Sequence, residues 1–191
     1  MRADAMRSRA RILEAARGCD PTALRLNDVA RRAGVGVGTV YRHFPTTHAL
    51  VEALSAGGLD RYRELAREAA EESDPMRALE LLVRRGVALQ LEDGGLHVVL
   101  LAASDSDPET ASLKHEFAML TERILDAARS AGLVRADLTA DRLIHLVCGI
   151  EYAVRTDGGD PAFFVDVLLD GLRTGDGTPV GRKSQELSGT R

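Results

Sequence analysis

The stretch AGVGVGTVYRHFPTTHAL, residues 33–50, places alternating glycines beside hydroxyl, aromatic and basic side chains. These residue types suit two kinds of chemistry. One is a glycine-rich loop that cradles a phosphate, and the other is a turn between two short helices that together read a nucleic acid. The spacing within the stretch and the elements on either side of it distinguish the two.

A phosphate-binding loop does not fit the spacing. A dinucleotide-binding fingerprint that begins at Gly34 requires glycine at position 39, where Thr39 stands, and one that begins at Gly36 requires glycine at position 41, where Tyr41 stands. The preceding segment, LNDVARRA, has helical rather than strand spacing. A second near-match, GTPVGRKS, lacks the Walker spacing. Neither stretch is therefore predicted to bind a nucleotide.

The spacing of residues 26–45 fits a helix-turn-helix. Ala30 is small where the second helix must cross closely, Gly34 falls where the turn needs a positive φ, and Val40 falls where the second helix packs back. The side of the second helix predicted to pack carries Val37, Val40, Tyr41 and Phe44. Its other side is left free to face a partner.

The free side is chemically suited to a DNA groove. Arg42 can donate a bidentate pair to guanine, and Gly38 allows the backbone to approach closely. Thr39 and His43 can reach base edges or phosphate, and Tyr41 can place its hydroxyl on a phosphate. A solvated helix face beside a core tyrosine is the competing interpretation, and for any single residue the two remain open.

This stretch resembles the recognition-helix signature of TetR-family transcriptional regulators, written GVSxGTxYxHFxxKxxL. The resemblance covers about residues 8–54, including ILEAA and LNDVARRAGV. It implies a dimeric DNA-binding regulator, most simply a repressor that leaves a palindromic double-stranded operator when a small molecule binds. The residues predicted to contact DNA are Asn27, Val37, Gly38, Thr39, Tyr41, Arg42, His43 and Thr47.

The chain departs from the family pattern at three places. Gly36 replaces the serine that commonly caps the recognition helix, and glycine is a weaker cap. Arg25 and Leu26 stand where a threonine often begins the preceding helix, which leaves Asn27 as the expected cap. Thr47 replaces a phosphate-contacting lysine, although a hydroxyl and free amides there, with His48 close by, still suit phosphate. We expect a weaker non-specific affinity and a shallower salt dependence than the family norm.

Capping signals divide the chain into about nine helices and predict an all-α fold. Acid–proline pairs mark helix starts at Asp74, Asp107 and Asp160, and glycines mark helix ends. The predicted helices are 7–18, 27–33, 37–44, 47–72, 75–92, 95–103, 107–131, 139–156 and 161–173. Gly57 and Gly58 are expected to bend or break the fourth helix.

The predicted organisation is a small head followed by a larger helical body. Residues 1–47 form the helix-turn-helix domain with a basic N-terminal arm, residues 48–174 form the effector-binding and dimerisation bundle, and residues 175–191 form a disordered tail. The first 50 residues carry nine arginines and four acids, whereas the rest carries 16 basic and 25 acidic residues. This asymmetry favours contact between the head alone and a polyanion.

Composition limits the other classes of function. Cys19 and Cys148 are the only two cysteines and lie far from any second ligand at metal-binding spacing, so neither a disulfide, a metal nor another cofactor is predicted. The sequence has no secretory signal and no apolar run long enough to span a membrane, which predicts a cytoplasmic protein without a membrane partner.

The last two helices are apolar on more than one face, which predicts a surface that a partner covers. The resemblance implies a homodimer in which these helices form a four-helix interface, and the candidate interface residues are Leu143, Val147, Ile150, Phe164 and Leu168.

The resemblance also implies a ligand cavity in the body. Its candidate lining residues are Tyr62, Met76, Gln90, His97, Phe117, Met119, Cys148 and Tyr152. At each of these positions ordinary core packing is more common than a ligand contact.

Two other classes of function stay open at this point. An enzyme of the helical-bundle type lacks support, because there is no nucleophile elbow, no HExxH and no Glu with Glu-x-x-His, so no catalytic residue is predicted. A helical adaptor that has lost DNA binding is suggested only by Gly36 and Thr47. Activation of transcription, in place of repression, is equally compatible with the sequence.

Overall fold

The structure is a computed structural model that describes residues 2–174, and these residues form nine α-helices without a β-strand. The predicted all-α fold is confirmed. The helices are α1 (Arg2–Ala16), α2 (Leu26–Ala33), α3 (Val37–His43), α4 (Thr47–Glu71), α5 (Pro75–Glu92), α6 (Leu96–Leu100), α7 (Pro108–Ser130), α8 (Ala140–Asp157) and α9 (Pro161–Leu172). The predicted disordered tail, residues 175–191, lies outside the described residues. No helix within 2–174 has the length and apolarity to cross a bilayer.

Local capping chemistry sets most of the helix boundaries. The carboxylates of Asp74, Asp107 and Asp160 each accept a hydrogen bond from an amide in the first turn of the helix that follows, at 2.9–3.0 Å, and proline occupies the first position of each helix. Gly34 and Gly158 end α2 and α8 in the left-handed conformation, with φ of 61° and 66°. These predicted boundaries are confirmed because each depends on neighbouring residues only.

Two predictions at the N-terminus were wrong. The expected arm is helical, because α1 begins at Arg2 rather than near residue 7. Asn27 does not cap α2, which begins one residue earlier at Leu26 with Arg25 as the N-cap and no side-chain hydrogen bond to the cap amides. The Asn27 side chain is instead exposed in the first turn of α2.

The helices enclose two hydrophobic cores that meet within α4. The head core lies between α1, α2, α3 and the start of α4, and Leu50 is its last member along the chain. The body core lies between α4, α5, α7, α8 and α9, and Val51 is its first member. Consecutive residues of one helix therefore belong to different cores, and α4 connects the head rigidly to the body.

The expected break at Gly57 and Gly58 is absent, because α4 continues unbroken from Thr47 to Glu71. Gly58 is buried under the turn between α5 and α6, where a Cβ atom would collide with the Asp93 carboxylate and lie 3.1 Å from Leu96 Cδ1. Gly57 faces open space, with no atom within 4 Å of the position of a Cβ. The pair thus permits close packing of the α5–α6 turn and does not interrupt the helix.

Because Gly57 faces open space and Gly58 is closely packed, alanine is expected to have opposite effects on stability at the two positions. Gly57→Ala is expected to stabilise the protein by about 0.5–1 kcal/mol, since alanine has the higher helix propensity. Gly58→Ala is expected to destabilise it by about 1–3 kcal/mol, because the methyl group overpacks the contact with Asp93 and Leu96. Chemical denaturation of the two variants checks this, and equal effects would contradict the packing described for Gly58.

Candidate nucleic-acid interface and effector sites

The turn between α2 and α3 is fixed from two directions. Gly34 adopts φ 61° and ψ 39°, and the Val35 amide donates to the Ala30 carbonyl at 3.1 Å. The Arg11 guanidinium donates to the carbonyl oxygens of Ala33 at 2.6 Å and Gly34 at 3.2 Å. A Cβ atom on residue 34 would lie 3.0 Å from Arg11 Nη2. Glycine at position 34 thus permits both the positive φ angle and the close approach of the Arg11 side chain. The Arg11 guanidinium is used to hold the turn.

Four residues of the α3 segment were expected on its inner side, and two of them are buried against the head core. Val40 and Phe44 are buried, and the Arg9 guanidinium lies 5.3 Å from the centroid of the Phe44 ring. Val37 and Tyr41 are nearly half exposed, at 45% and 46%. Val37 was expected to pack inward and does not, whereas the exposure of Tyr41 leaves its hydroxyl open to the predicted phosphate contact. Val37 and Tyr41 therefore join the outer surface.

The outer face of α3 holds its arginine in place. Arg42 is exposed, and its Nε atom donates to the Gly38 carbonyl at 3.1 Å while Nη2 donates to Thr39 Oγ1 at 3.3 Å. No side chain covers Gly38, since no atom lies within 4 Å of the position of a Cβ. His43 is half-buried beside the Phe44 ring. This arrangement leaves guanidinium donors facing solvent above a backbone that a groove can approach closely.

Beside α3 a groove of about 330 Å³ lies where the N-termini of α2 and α4 converge. The start of α2 has no side-chain cap, so its first amides stay free for a ligand. Thr46 caps α4 by accepting a hydrogen bond from the Ala49 amide at 3.0 Å, and Thr47 is the first helical residue. The predicted contacts Asn27, Tyr41 and Thr47 all line this groove. Two helix N-termini and a phenol suit a backbone phosphate.

Two polar residues of this groove, Arg25 and Thr46, were not among the predicted contacts. Thr46 precedes the apolar run of α4 and could have been recognised as an N-cap from the sequence. Arg25 is exposed at the N-cap of α2, and no local signal indicates that it lies opposite Thr46. His48 was expected near phosphate, but its imidazole Nε2 turns inward to 2.8 Å from the carboxylate of Glu52. His48 is therefore not available to DNA in this arrangement.

The interior of the body is closely filled. Tyr62 is buried and accepts a hydrogen bond from Gln90 Nε2 at 2.9 Å, and the Phe117 ring meets the Tyr62 ring edge-on at 4.9 Å between centroids. Burial raises the pKa of the Cys148 thiol to about 12, so it is a neutral group at physiological pH. The remaining void between α4, α5, α7 and α8 is about 10 Å³. This volume is smaller than any effector molecule.

The other candidate lining residues lie outside that interior. Met119 and Tyr152 are 61% and 70% exposed and so cannot line an enclosed core cavity, because their helices turn these positions to solvent. Met76 is partly buried against the edge of the body core. His97 and Tyr152 lie together in a different space, a cleft between head and body.

That cleft has a volume of about 800 Å³. Its walls are the α1–α2 turn (residues 17–24), α4, the α5–α6 turn and the last turns of α8. On its body side Glu151 is buried, and its carboxylate accepts from Arg155 Nε. His97 Nδ1 lies 3.6 Å from Glu151 Oε2 and has no hydrogen-bond partner. The cleft thus joins polar and apolar wall residues to a buried carboxylate and to an imidazole nitrogen that has no hydrogen-bond partner among the described residues.

The dimer residues chosen from the sequence belong mainly to the protomer's own core. Leu143, Val147 and Ile150 are at most 8% exposed, which leaves almost no surface to bury against a partner. Phe164 and Leu168 are half-buried and pack on the same core. The side of α8 and α9 that faces solvent instead presents Leu146, Phe163 and Val167, at 43%, 63% and 57% exposed. The apolar surplus exists, but it lies in a different register of both helices.

Comparison with known proteins gives matches over both parts of the chain. Residues 9–54 match the family described as bacterial regulatory proteins of the tetR family, and residues 74–174 match the C-terminal domain of SbtR-like transcriptional regulators. The HTH-type transcriptional repressor LfrR of Mycolicibacterium smegmatis is 30% identical over 178 residues, 88% of this chain and 90% of LfrR.

Solved structures share the fold at lower identity. NalD of Pseudomonas aeruginosa, the secondary repressor of the MexAB-OprM multidrug efflux pump, is 21% identical with a TM-score of 0.56, over 90% of this chain and 98% of NalD. The regulator FadR of Bacillus subtilis, solved in complex with stearoyl-CoA, is 18% identical with a TM-score of 0.52, over 87% of this chain and 98% of FadR. At these identities the likeness concerns the fold alone.

The geometry of α3 predicts a specific role for Arg42. After selection of a preferred duplex from random DNA, Arg42→Ala is expected to raise the Kd for that duplex about 5- to 150-fold, since a bidentate base contact contributes about 1–3 kcal/mol of discrimination. Arg77→Ala removes the same charge from an exposed site at the start of α5 and is the matched control. Fluorescence anisotropy measures both. An equal loss of affinity in the two variants would mean that Arg42 contributes only its positive charge and no base contact.

Proposed function

Because the chain belongs to the TetR family of bacterial transcriptional regulators, which are DNA-binding transcription factors and not enzymes, we propose that it represses transcription as a homodimer on a palindromic operator. A small-molecule effector then releases it from DNA. The observation that carries this proposal is the exposed outer face of α3. There Arg42 donates to the Gly38 carbonyl, and no atom lies within 4 Å of the position of a Gly38 Cβ. The N-termini of two helices lie beside this face. Repression is favoured over activation by the sequence similarity to the repressor LfrR.

The proposed dimer forms through the exposed sides of α8 and α9. Leu146, Phe163 and Val167 supply apolar area, and Gly149 and Gly171 lie open on the same two helices, so that partner helices can approach closely. A two-fold axis through this surface presents two copies of α3 to one side of a duplex. Recognition helices about 34 Å apart would then meet successive major grooves, which requires an operator with two-fold symmetry.

The effector is proposed to bind in the cleft between head and body, and not in the filled interior. One wall of the cleft belongs to the head and the others to the body, so any rotation of the head changes its shape. A molecule that fits one shape better shifts the equilibrium between head positions by its difference in affinity. Mixed polar and apolar walls, together with Glu151 and the His97 nitrogen, suit a small molecule that carries both apolar and polar groups.

The proposed interface predicts the effect of charge on α9. Phe163→Glu combined with Val167→Glu is expected to convert the dimer to a monomer, because two carboxylates would be buried without partners. Met119→Glu places a carboxylate on an equally exposed apolar residue of α7 and is expected to leave the dimer intact. Sedimentation velocity distinguishes the two. A dimer that survives the double substitution would contradict this interface.

The proposed effector site is tested with a screen of amphipathic compounds for loss of operator binding. A true effector is expected to raise the operator Kd about 5- to 150-fold, the usual range of allosteric coupling. His97→Ala should abolish that response while the operator affinity without effector stays unchanged, since His97 Nδ1 has no hydrogen-bond partner to lose. His115→Ala, on the exposed surface of α7, is the matched control. A response that survives His97→Ala would place the effector elsewhere.

A further inference from the structure

A second group of buried polar side chains lies where α4 meets the α6–α7 loop, and none of its members lines the cleft. Glu52, in the second turn of α4, is buried, and its Oε1 atom accepts a hydrogen bond from the Ser106 amide at 2.7 Å. His48 stands one turn earlier on the same helix, and Asp105 comes from the loop between α6 and α7. The ligand atoms of these three residues all lie within 4.8 Å of one another.

Only one of the two carboxylates of this group has a lysine or arginine partner within the described residues. The Lys114 ammonium donates to Val99 O at 2.9 Å, Ala102 O at 3.0 Å and Asp105 Oδ1 at 2.8 Å. An ammonium has three donors, so Lys114 has none left for Glu52. Burying a carboxylate is costly unless a cation or enough hydrogen bonds join it.

Two polar atoms of the group are buried and lack hydrogen-bond partners. They are Glu52 Oε2 and His48 Nε2. The Nε2 atom approaches Glu52 Oε1 to 2.8 Å without the angle that a hydrogen bond requires. It also lies 3.9 Å from Asp105 Oδ1. An imidazole nitrogen and a carboxylate oxygen that approach closely without bonding to each other are arranged as two ligands of a common ion.

We propose that His48, Glu52 and Asp105 bind a divalent first-row transition-metal ion, for which Zn²⁺ is the probe. Bonds of about 2.0–2.2 Å from Zn²⁺ to nitrogen and oxygen place two ligands of one ion at most about 4.4 Å apart, close to the spacing of this group. One imidazole and two carboxylates form a mixed nitrogen and oxygen donor set suited to such ions. Three protein ligands leave a further position for water.

The proposed ion would join the start of α4 to the α6–α7 loop. His48 and Glu52 lie in the first two turns of α4, directly after the α3–α4 turn, whereas Asp105 belongs to the body. An ion shared by these elements binds the folded arrangement and not the unfolded chain, so it stabilises that arrangement by mass action. Neither the binding of the ion nor this stabilisation depends on the proposed operator, dimer or effector.

The test measures Zn²⁺ uptake by the full chain after removal of metals with a chelator. Equilibrium dialysis at micromolar Zn²⁺ is expected to give one ion per chain, and the melting temperature is expected to rise when Zn²⁺ is added. His48→Ala and the nearly isosteric Asp105→Asn should each weaken binding by more than about 100-fold, since losing even an outer-shell partner costs 10- to 100-fold. Co²⁺ in place of Zn²⁺ should give visible absorption bands that both variants lack.

The matched control is His145→Ala. His145 and Asp141 also form an i, i+4 histidine–carboxylate pair on a helix, with 3.7 Å between Nδ1 and Oδ1, but both side chains are exposed. This variant is expected to bind Zn²⁺ like the unchanged protein. Equal uptake by His48→Ala and the unchanged protein would overturn the proposal, as would the absence of micromolar binding. A doubly protonated His48 ring at neutral pH without metal uptake, seen by nitrogen NMR, would make a proton the counter-charge and also overturn it.

Discussion

Leu50 and Val51 are neighbours in one helical turn, and they are buried in different hydrophobic cores. Because backbone hydrogen bonds make α4 rigid, the head cannot turn relative to the body without moving the first turns of this helix or separating one of the two cores. The absence of a break at Gly57 and Gly58 makes the constraint stricter, since α4 continues for 25 residues. The proposed operator binding and the proposed effector binding would therefore be mechanically joined through a single element.

Two polar contacts join α4 to the body where the helix leaves the head, and both use side chains of the helix itself. Ser55 donates to Asp93 Oδ1 at 2.9 Å, which fixes the α5–α6 turn against the helix at the floor of the cleft. One turn earlier, Glu52 accepts a hydrogen bond from the Ser106 amide of the α6–α7 loop. Polar contacts have directional geometry that apolar packing lacks, so these contacts determine how the start of α4 meets the body.

Some arginines of the head hold its own structure, and others are exposed and can contact a polyanion. The net charge of the head does not distinguish the two groups. Arg11 is committed to the carbonyl groups of the α2–α3 turn, and Arg9 covers the Phe44 ring. Arg42 and Arg25 stay exposed on the surface formed by α3 and the two neighbouring helix N-termini. The excess of positive charge in the head thus both stabilises the turn and supplies donors for a polyanion.

The sequence by itself determined the features that depend on residues a few positions apart. Acid–proline caps, the left-handed Gly34 and the spacing around Arg42 are local, and they sufficed for the ends of several helices and for the TetR family, although not for the starts of α1 and α2. Only the tertiary structure decided which face of α8 is buried, that the body interior is filled, and that Asp105 meets His48 and Glu52. Each of these depends on contacts between segments that are distant in the sequence. Packing sets the geometry of such contacts, and no periodic pattern in the sequence indicates it.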